Sequence, residues 1–583
     1  MTEIFEPIDA FDPRLLHEED PALGRLNAAG VLTAADVHVA RTLGRLCGEA
    51  DPQVLLAAAL TVRATRMGSV CLDLRRAGAV APHHPWPDPE AWRSALTSSR
   101  LVAEQVLRLE GELLYLDRYW QAEGAVVSDL HRRISLPAPE VDPARLEEAL
   151  DLLFTDEAYA EQRAAAEASA RRRTSVITGG PGTGKTSTLA RLLAVLQHLA
   201  DRPLRVALAA PTGKAAARMS RAIVRATDDR SFPPGLRGGV QGLTASTLHR
   251  LLGVRPDSGT RFRHHRGNHL VHDVVVVDET SMVSLTMMAR LLEALRPDAR
   301  LVLVGDADQL ASVEAGAVLK DLVEGLPTGA GVVSHLHRVH RFGAGIGELA
   351  EAVRGGDGDR AWAVLRQQPE GVELVDPADH SRIRHVVEEP ALALVRAAAA
   401  GDARATLAAL EEHRLLCAHR EGPSGVSHWN AEVERWLMDA LGRDWLDTWY
   451  AGQPLLVNSN DYGLRLWNGD TGVVTATPPD GVPRALFDDG SPGGRSVPLS
   501  RLADVQTAHA MTVHRAQGSQ FRDVTVVLPP DDSLLLTREL LYTALTRAER
   551  TVRVVADRGA VTAAVEREAR RATGLGQRLG RAP

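Results

Sequence analysis

The sequence predicts an α/β protein of two lobes, each built on a parallel sheet, with a mostly helical N-terminal region and a small β-barrel insertion in the second lobe. Three observations point there. A glycine-rich loop, Gly179 to Thr186, lies between an apolar run and a helical pattern. Short apolar strands then alternate with helical segments, the pattern of a parallel sheet. The pattern returns from about Leu415, interrupted by a Gly/Pro/Asp-rich stretch between Gly452 and Pro498.

Bulk properties agree with several domains. At 583 residues the chain is too long for a single core. Its 44% hydrophobic and 24% charged residues are ordinary for a globular protein. A net charge of −8 argues against coating nucleic acid by global charge, while leaving room for a locally basic groove. Cys47, Cys71 and Cys417 are too few and too far apart for a disulfide framework or zinc cluster, which suggests a reducing compartment. The acidic start lacks the pattern of a signal peptide, and no apolar run approaches the ~20 residues of a membrane span. A cytoplasmic protein with no membrane segment is expected.

Residues 1–143 read as the helical N-terminal domain. Leu55 to Val62 and Leu101 to Leu116 carry apolar residues at helical spacing. Pro137 to Pro143 reads as a linker. The first lobe is assigned to residues 144–332, opening with a helix from about Ala144 to Arg173. Val176 and Ile177 close a buried strand, and Thr188 to Leu199 form the helix after the loop.

That loop fits G-x-x-x-x-G-K-[ST], and its physics is anion capture. Gly179, Gly180, Pro181, Gly182, Thr183, Gly184, Lys185, Thr186 and Ser187 would wrap backbone N–H groups around a phosphate chain at a helix N-terminus. Lys185 would reach the β- and γ-phosphates, and the Thr186 hydroxyl would hold Mg²⁺.

Leu204 to Ala209 is the next buried strand, ending at Thr212, before a helix that carries Arg218 and Arg221. Ser246 to Leu252 reads as a short capped helix. Val274 to Val277 suit a strand buried on both faces, followed by Asp278 and Glu279. Side chains alternate across a strand, so both acids face one ligand only if the strand ends there. Asp278 would then hold Mg²⁺, and Glu279 would orient and deprotonate an attacking water. Arg300 to Val304 is a further strand, leading to Gln309, whose amide can sense a γ-phosphate without adding charge. The loop and the acidic pair together point to ATP hydrolysis with Mg²⁺.

The second lobe is assigned to residues 333–583, with the barrel at about 450–505. Arg341, after Leu336, could act as a finger on the transition state. Ala508 to Phe521 is a dense polar block at a strand–helix junction, and Arg538 to Arg547 reads as a helix. The Arg/Gly-rich tail after Arg570 is expected to fray.

From about Gln162 to Thr551 this ordered set resembles the superfamily 1 helicases, in the 5′→3′ branch typified by RecD, the alpha subunit of exodeoxyribonuclease V (RecBCD). On that resemblance the two lobes are RecA-like. Gln162 is the adenine-reading glutamine, Asp278 and Glu279 the Walker B pair, Gln309 the γ-phosphate sensor. Arg341 and Arg547 are the arginines that reach ATP from the second lobe. Thr212, Thr247, His249, Thr512, His514 and Arg515 fall where the family contacts single-stranded DNA. The chain departs from the pattern at Arg515-Ala516, where relatives usually have Lys-Ser, at Gln520, usually Glu, and at His340, usually Tyr. The resemblance implies an ATP-dependent 5′→3′ helicase acting on single-stranded DNA and duplex ends in double-strand break repair. It also implies RecB and RecC as partners, docked through the N-terminal domain. A motor that needs no partners, and an interaction subunit with a vestigial ATPase, are the alternatives.

Overall fold

The computed structural model describes residues 9, 11–17, 23–255, 258–327, 331–339, 343–442, 449–461, 463–476, 482–489 and 493–581. Two parallel sheets dominate. The first holds β1 (Thr174–Gly179), β2 (Val206–Ala210), β3 (Ala245–Thr247), β4 (Val274–Val277), β5 (Arg300–Gly305) and β6 (Val333–Leu336), in the order β6-β1-β5-β4-β2-β3. All five pairings are parallel. The four valines of β4 are fully buried, as a strand covered by helices on both faces requires. Helix α1 (Lys185–Leu199) packs Leu189, Leu192, Leu193 and Leu196 under the sheet. Helix α2 (Gly213–Asp228) starts at Thr212, whose hydroxyl accepts from the Ala215 N–H as an N-cap.

The second parallel sheet joins β7 (Val372–Val375), β8 (His413–Cys417), β9 (Ala510–Thr512), β10 (Phe521–Val527) and β11 (Ala548–Val555) in the order β7-β11-β10-β8-β9. Helix α3 (Arg538–Leu545) lies between β10 and β11 in the chain and is capped by Thr537. Between β8 and β9 the chain leaves to build a five-stranded antiparallel sheet spanning Pro454 to Thr507. Leu455, Val457, Leu466, Val474, Phe487 and Val497 give this insertion its own core.

Three local expectations are corrected. Residues 101–116 do not form one helix. A short helix, Arg100–Ala103, gives way to a hairpin of Leu107–Glu110 with Leu113–Leu116. Gly111 at φ 60° makes the tight reversal, and Cys71–Asp73 adds a third strand. The leucines here satisfy both periods, and the turn decides. The helix expected from Ala144 to Arg173 is two helices, Pro143–Leu153 and Ala160–Ala170, broken around Phe154.

The tail does not fray. Leu575–Leu579 is a helix whose two leucines are buried between the N-terminal helix Asp117–Ser135 and the first-lobe helix Val318–Gly325. The Val70 N–H donates to the Ala572 carbonyl at 2.8 Å. The Gly574 N–H donates to Glu123 at 2.9 Å, and Arg578 pairs with Glu110 and Glu123. Glu110 and the buried Glu123 thus neutralise Arg578, which composition alone reads as solvated.

The Thr573 hydroxyl sits between two carboxylates, 2.9 Å from Glu123 and 3.1 Å from Asp321. Burial pushes Asp321 up to about 7, against the pull of the Thr573 bond and with Glu123 adding to the rise. An aspartate raised in the fold above its unfolded value of about 3.9 loses stability as pH climbs from about 4 to 7. Above that range the loss is constant. Asp321→Asn is therefore expected to flatten this slope. Urea melts at pH 5 and pH 8 should show a larger drop for the native chain than for the variant, and equal drops would refute the assignment.

Candidate functional site

Strand β1 ends at Gly179, and the loop turns through Gly182 (φ 81°) and Gly184 (φ 83°) before α1 begins at Lys185. Those angles lie where side chains are strained, and a Cβ on Gly179 would collide with the Leu336 carbonyl of neighbouring β6. Lys185 Nζ donates to the carbonyls of Gly179 and Gly180 at 2.6 and 2.9 Å. Gln162, 2% exposed, donates from Nε2 to the Thr183 carbonyl at 3.0 Å and so braces the loop from behind.

Opposite the loop, β4 stops at Val277. The Asp278 N–H still bonds Ala209 in extended fashion, but Glu279 takes φ 51° and ψ 41°. A left-handed glutamate is rare and costs about 1–2 kcal/mol. The kink brings both carboxylates onto one cavity. At the end of β5, Asp306 accepts from Gln309 Nε2 at 3.0 Å and from the Tyr542 hydroxyl of α3, in the other lobe, at 3.1 Å. The Leu310 N–H donates to Thr543 Oγ1 at 2.9 Å, fixing the same junction. Arg547, 2% exposed, is held by the carbonyls of Thr543 and Ser519.

Between the lobes lies a cavity of about 620 Å³ bordered by Lys185, Thr186, Asp278, Glu279, Gln309 and Arg547. Pro181, Gly182, Gly184 and Ser187 complete its loop side. Burial lowers Lys185, while Asp306, Glu279 and Asp278 oppose that fall. Burial and the adjacent Glu279 raise Asp278. Asp306 is pushed to about 6 by burial, with Lys185 pulling it back. The Thr186 hydroxyl and Asp278 carboxylate are hard oxygen donors on one wall, a set that suits Mg²⁺.

A second cavity, about 1230 Å³, also spans both lobes. Thr212 and Lys214 line it from the first lobe, and Thr512, His514 and Arg515 from the second. Arg515 donates to Asn458 Oδ1 at 2.6 Å, which holds the cation at the rim. Burial lowers His514 to about 4, with Arg571 adding to the fall, so the ring is uncharged at neutral pH. Thr247 and His249 do not line this cavity. Thr247 caps the helix Leu248–Leu252, and His249 is exposed, its ring 6.0 Å from that of Phe262. Arg341 lies outside the described residues.

The motif pattern passed over other residues on the first cavity. Tyr159, with the Arg191 guanidinium 4.9 Å above its ring, forms one end. Arg218 reaches in from α2. Tyr159 stands three residues before Gln162, which offered a local signal; Arg191 and Arg218 are ordinary helix arginines until the fold places them.

Three family models match the chain. Residues 162–315 match an AAA domain, residues 507–555 the UvrD-like helicase C-terminal domain, and residues 28–115 the N-terminal domain of RecBCD enzyme subunit RecD. The chain is 56% identical over 560 residues to RecBCD enzyme subunit RecD of Mycolicibacterium smegmatis, covering 94% of this chain and 98% of that one. It is 53% identical to the same subunit of Mycobacterium tuberculosis, over 95% and 96% of the two chains. It is 31% identical to the ATP-dependent RecD2 DNA helicase of Deinococcus radiodurans, covering 90% of this chain and 68% of that one. A phosphate loop facing a cavity that two parallel-sheet lobes share, beside these matches, defines an ATP-dependent helicase. Within that class the chain belongs to the RecD family.

The Asp306–Tyr542 bond crosses the cleft and also holds Gln309. Tyr542→Phe removes its donor and is expected to lower kcat for ATP about tenfold, the worth of one hydrogen bond to a charged group, with KM for ATP little changed. An unaltered kcat would show that this bond does not position Gln309.

Proposed function

We propose that this chain is the RecD motor of a RecBCD helicase-nuclease, an ATP-driven 5′→3′ translocase on single-stranded DNA that serves double-strand break repair. The observation that carries the reading is the composite cavity: Lys185, Asp278, Glu279 and Gln309 face it from one lobe and Arg547 from the other.

In this reading the Gly179–Thr186 loop seats the phosphates of ATP, with Lys185 leaving its two carbonyl partners for them. Glu279 orients a water in line with the γ-phosphorus and takes its proton as the bond to the β,γ-bridging oxygen breaks. Thr186 and Asp278 would hold Mg²⁺, which when bound offsets the charge that develops on the phosphate oxygens. Arg547 adds positive charge from the far lobe, and on the family pattern Arg341 is its companion. Gln309 senses the γ-phosphate. Phosphate contacts from both lobes favour the closed cleft, and their loss on hydrolysis lets it open.

A single DNA strand lies in the second cavity, touching Thr212, Thr512, His514 and Arg515. Polarity is carried from the family. Thr247 and His249 become contacts only to a strand that leaves this cavity along the first lobe.

RecB and RecC are proposed as partners from the names of the relatives. The coverage favours a subunit over a partner-free motor, because the chain spans nearly all of the mycobacterial subunits and 68% of the Deinococcus helicase. No helix among the described residues is long and apolar enough to cross a membrane. Cys47, Cys71 and Cys417 are buried free thiols, which fits work in the cytoplasm.

Two experiments test this. Lys185→Gln is expected to cut DNA-stimulated ATP turnover by a factor on the order of 10² or more with an unchanged thermal melt; normal turnover would remove the site assignment. Affinity isolation from the native cell extract is expected to bring down two larger subunits in equal amounts. Recovery of an active, partner-free monomer would favour the stand-alone reading instead.

A further inference from the structure

Helix α2 borders both cavities. Thr212 and Lys214, at its start, line the nucleic-acid cavity, while Arg218, Ala222 and Arg225 line the nucleotide cavity. Arg218 stands six positions after Thr212, about 9 Å along the helix.

Arg218 touches two things at once. Its Nη1 lies 3.5 Å from Glu279 Oε1. The same nitrogen donates to the Gly518 carbonyl of the other lobe at 3.4 Å. Gly518 stands three residues after Arg515, in the segment that lines the nucleic-acid cavity through Thr512, His514, Arg515 and Gln517. A guanidinium this close to a carboxylate attracts it electrostatically and so competes with a water for the same oxygen. Glu279 is fixed in a left-handed backbone, which narrows where its carboxylate can turn. The contact is long and partly exposed, with side chains 32% and 15% accessible, so a small displacement breaks it.

We propose that Arg218 is a positioning residue that restrains Glu279 until single-stranded DNA fills the second cavity, and so makes ATP hydrolysis depend on DNA. This rests on the reading of Glu279 as the base and of the second cavity as the DNA channel. Both anchors of Arg218 respond to the strand. A phosphate held at Thr212 and Lys214 shifts the start of α2, and the same strand engages the segment that carries Gly518. Either movement changes the register of Arg218 against Glu279, and the freed carboxylate turns to the water.

The test compares ATP turnover of the full chain with and without saturating oligo(dT) for the native protein, Arg218→Gln and Arg218→Lys, with thermal melts alongside. Arg218→Gln is expected to raise DNA-free kcat about threefold or more and to lower the ratio of DNA-stimulated to DNA-free turnover by a similar factor, with KM for ATP within about twofold. Arg218→Lys keeps a cation without the fork and should fall between. If Arg218→Gln melts early, the lysine variant decides: its ratio must lie below the native one. Parallel loss of both rates would make Arg218 a plain nucleotide contact and overturn the proposal, as would an unchanged ratio. A native chain whose turnover ignores oligo(dT) would instead sink the functional reading on which this rests.

Discussion

The cleft depends on one lysine balanced against three acids. Lys185 faces Asp278, Glu279 and Asp306, and burial lowers the amine and raises Asp278 and Asp306. The lysine's charge offsets that of the acids, and if it is lost the raised Asp278 and Asp306 carboxyls can take up protons in its place. The ends of β1, β4 and β5 are therefore tied by electrostatics as well as by the ladder. On the other wall stands Arg547, desolvated and bound to carbonyls of its own lobe. A ligand that satisfies both walls must carry dense negative charge toward the lysine and arginine and a cation toward the aspartate. A nucleoside triphosphate with its metal has that charge distribution.

The lobes meet through polar contacts that can exchange. Tyr542 bonds Asp306, Thr543 accepts from Leu310, and Gln517 donates to the Leu310 carbonyl at 2.8 Å. The antiparallel insertion adds a second line of contact along α2. Trp467 lies where a Cβ on Gly213 would be, Arg221 pairs with Asp488, and Lys214 reaches Thr471 at 3.4 Å. Burial, with Arg414 close by, lowers Lys214 to about 8. Each lobe keeps its own largely aliphatic core, with Leu310 of the first lobe reaching into that of the second. Stiff bodies joined by exchangeable polar bonds move as units, which is what alternating grip on a strand needs.

Much of this was legible in the sequence because the carriers are local. A strand of four valines ending in Asp-Glu, and glycines forced by positive φ in the phosphate loop, state their geometry in consecutive residues. The α/β class followed from alternation alone. What could not be read is what depends on distant partners. Leu107, Leu109, Leu113, Leu114 and Leu116 fit a helical stripe as well as a hairpin, and only the turn at Gly111 and pairing with Cys71–Asp73 choose between them. The contacts of Arg218 with Gly518 and of Tyr542 with Asp306 exist only once two lobes face each other. Thr247 and His249 were placed by family pattern, and the fold sets them apart from the cavity that holds Thr212, Thr512, His514 and Arg515.

The tail shows the same limit and adds a mechanical consequence. Arg571, Arg578 and Leu575 follow the last helix of the second lobe, yet they are seated elsewhere. Arg571 donates to the Glu314 and Gly316 carbonyls, and Leu575 and Leu579 fill the seam between the N-terminal region and the first lobe. The second lobe is thus tethered to the first at two places, through the chain that leaves β6 after Leu336 and through the tail leaving after Glu566. Two tethers restrict relative motion more than one, and they favour hinging about the line that joins them over free sliding. Because the tail also packs against Glu110 and Glu123, that line runs beside the N-terminal region. Any partner that grips this region therefore bears on the hinge of the motor as well as on its outer surface.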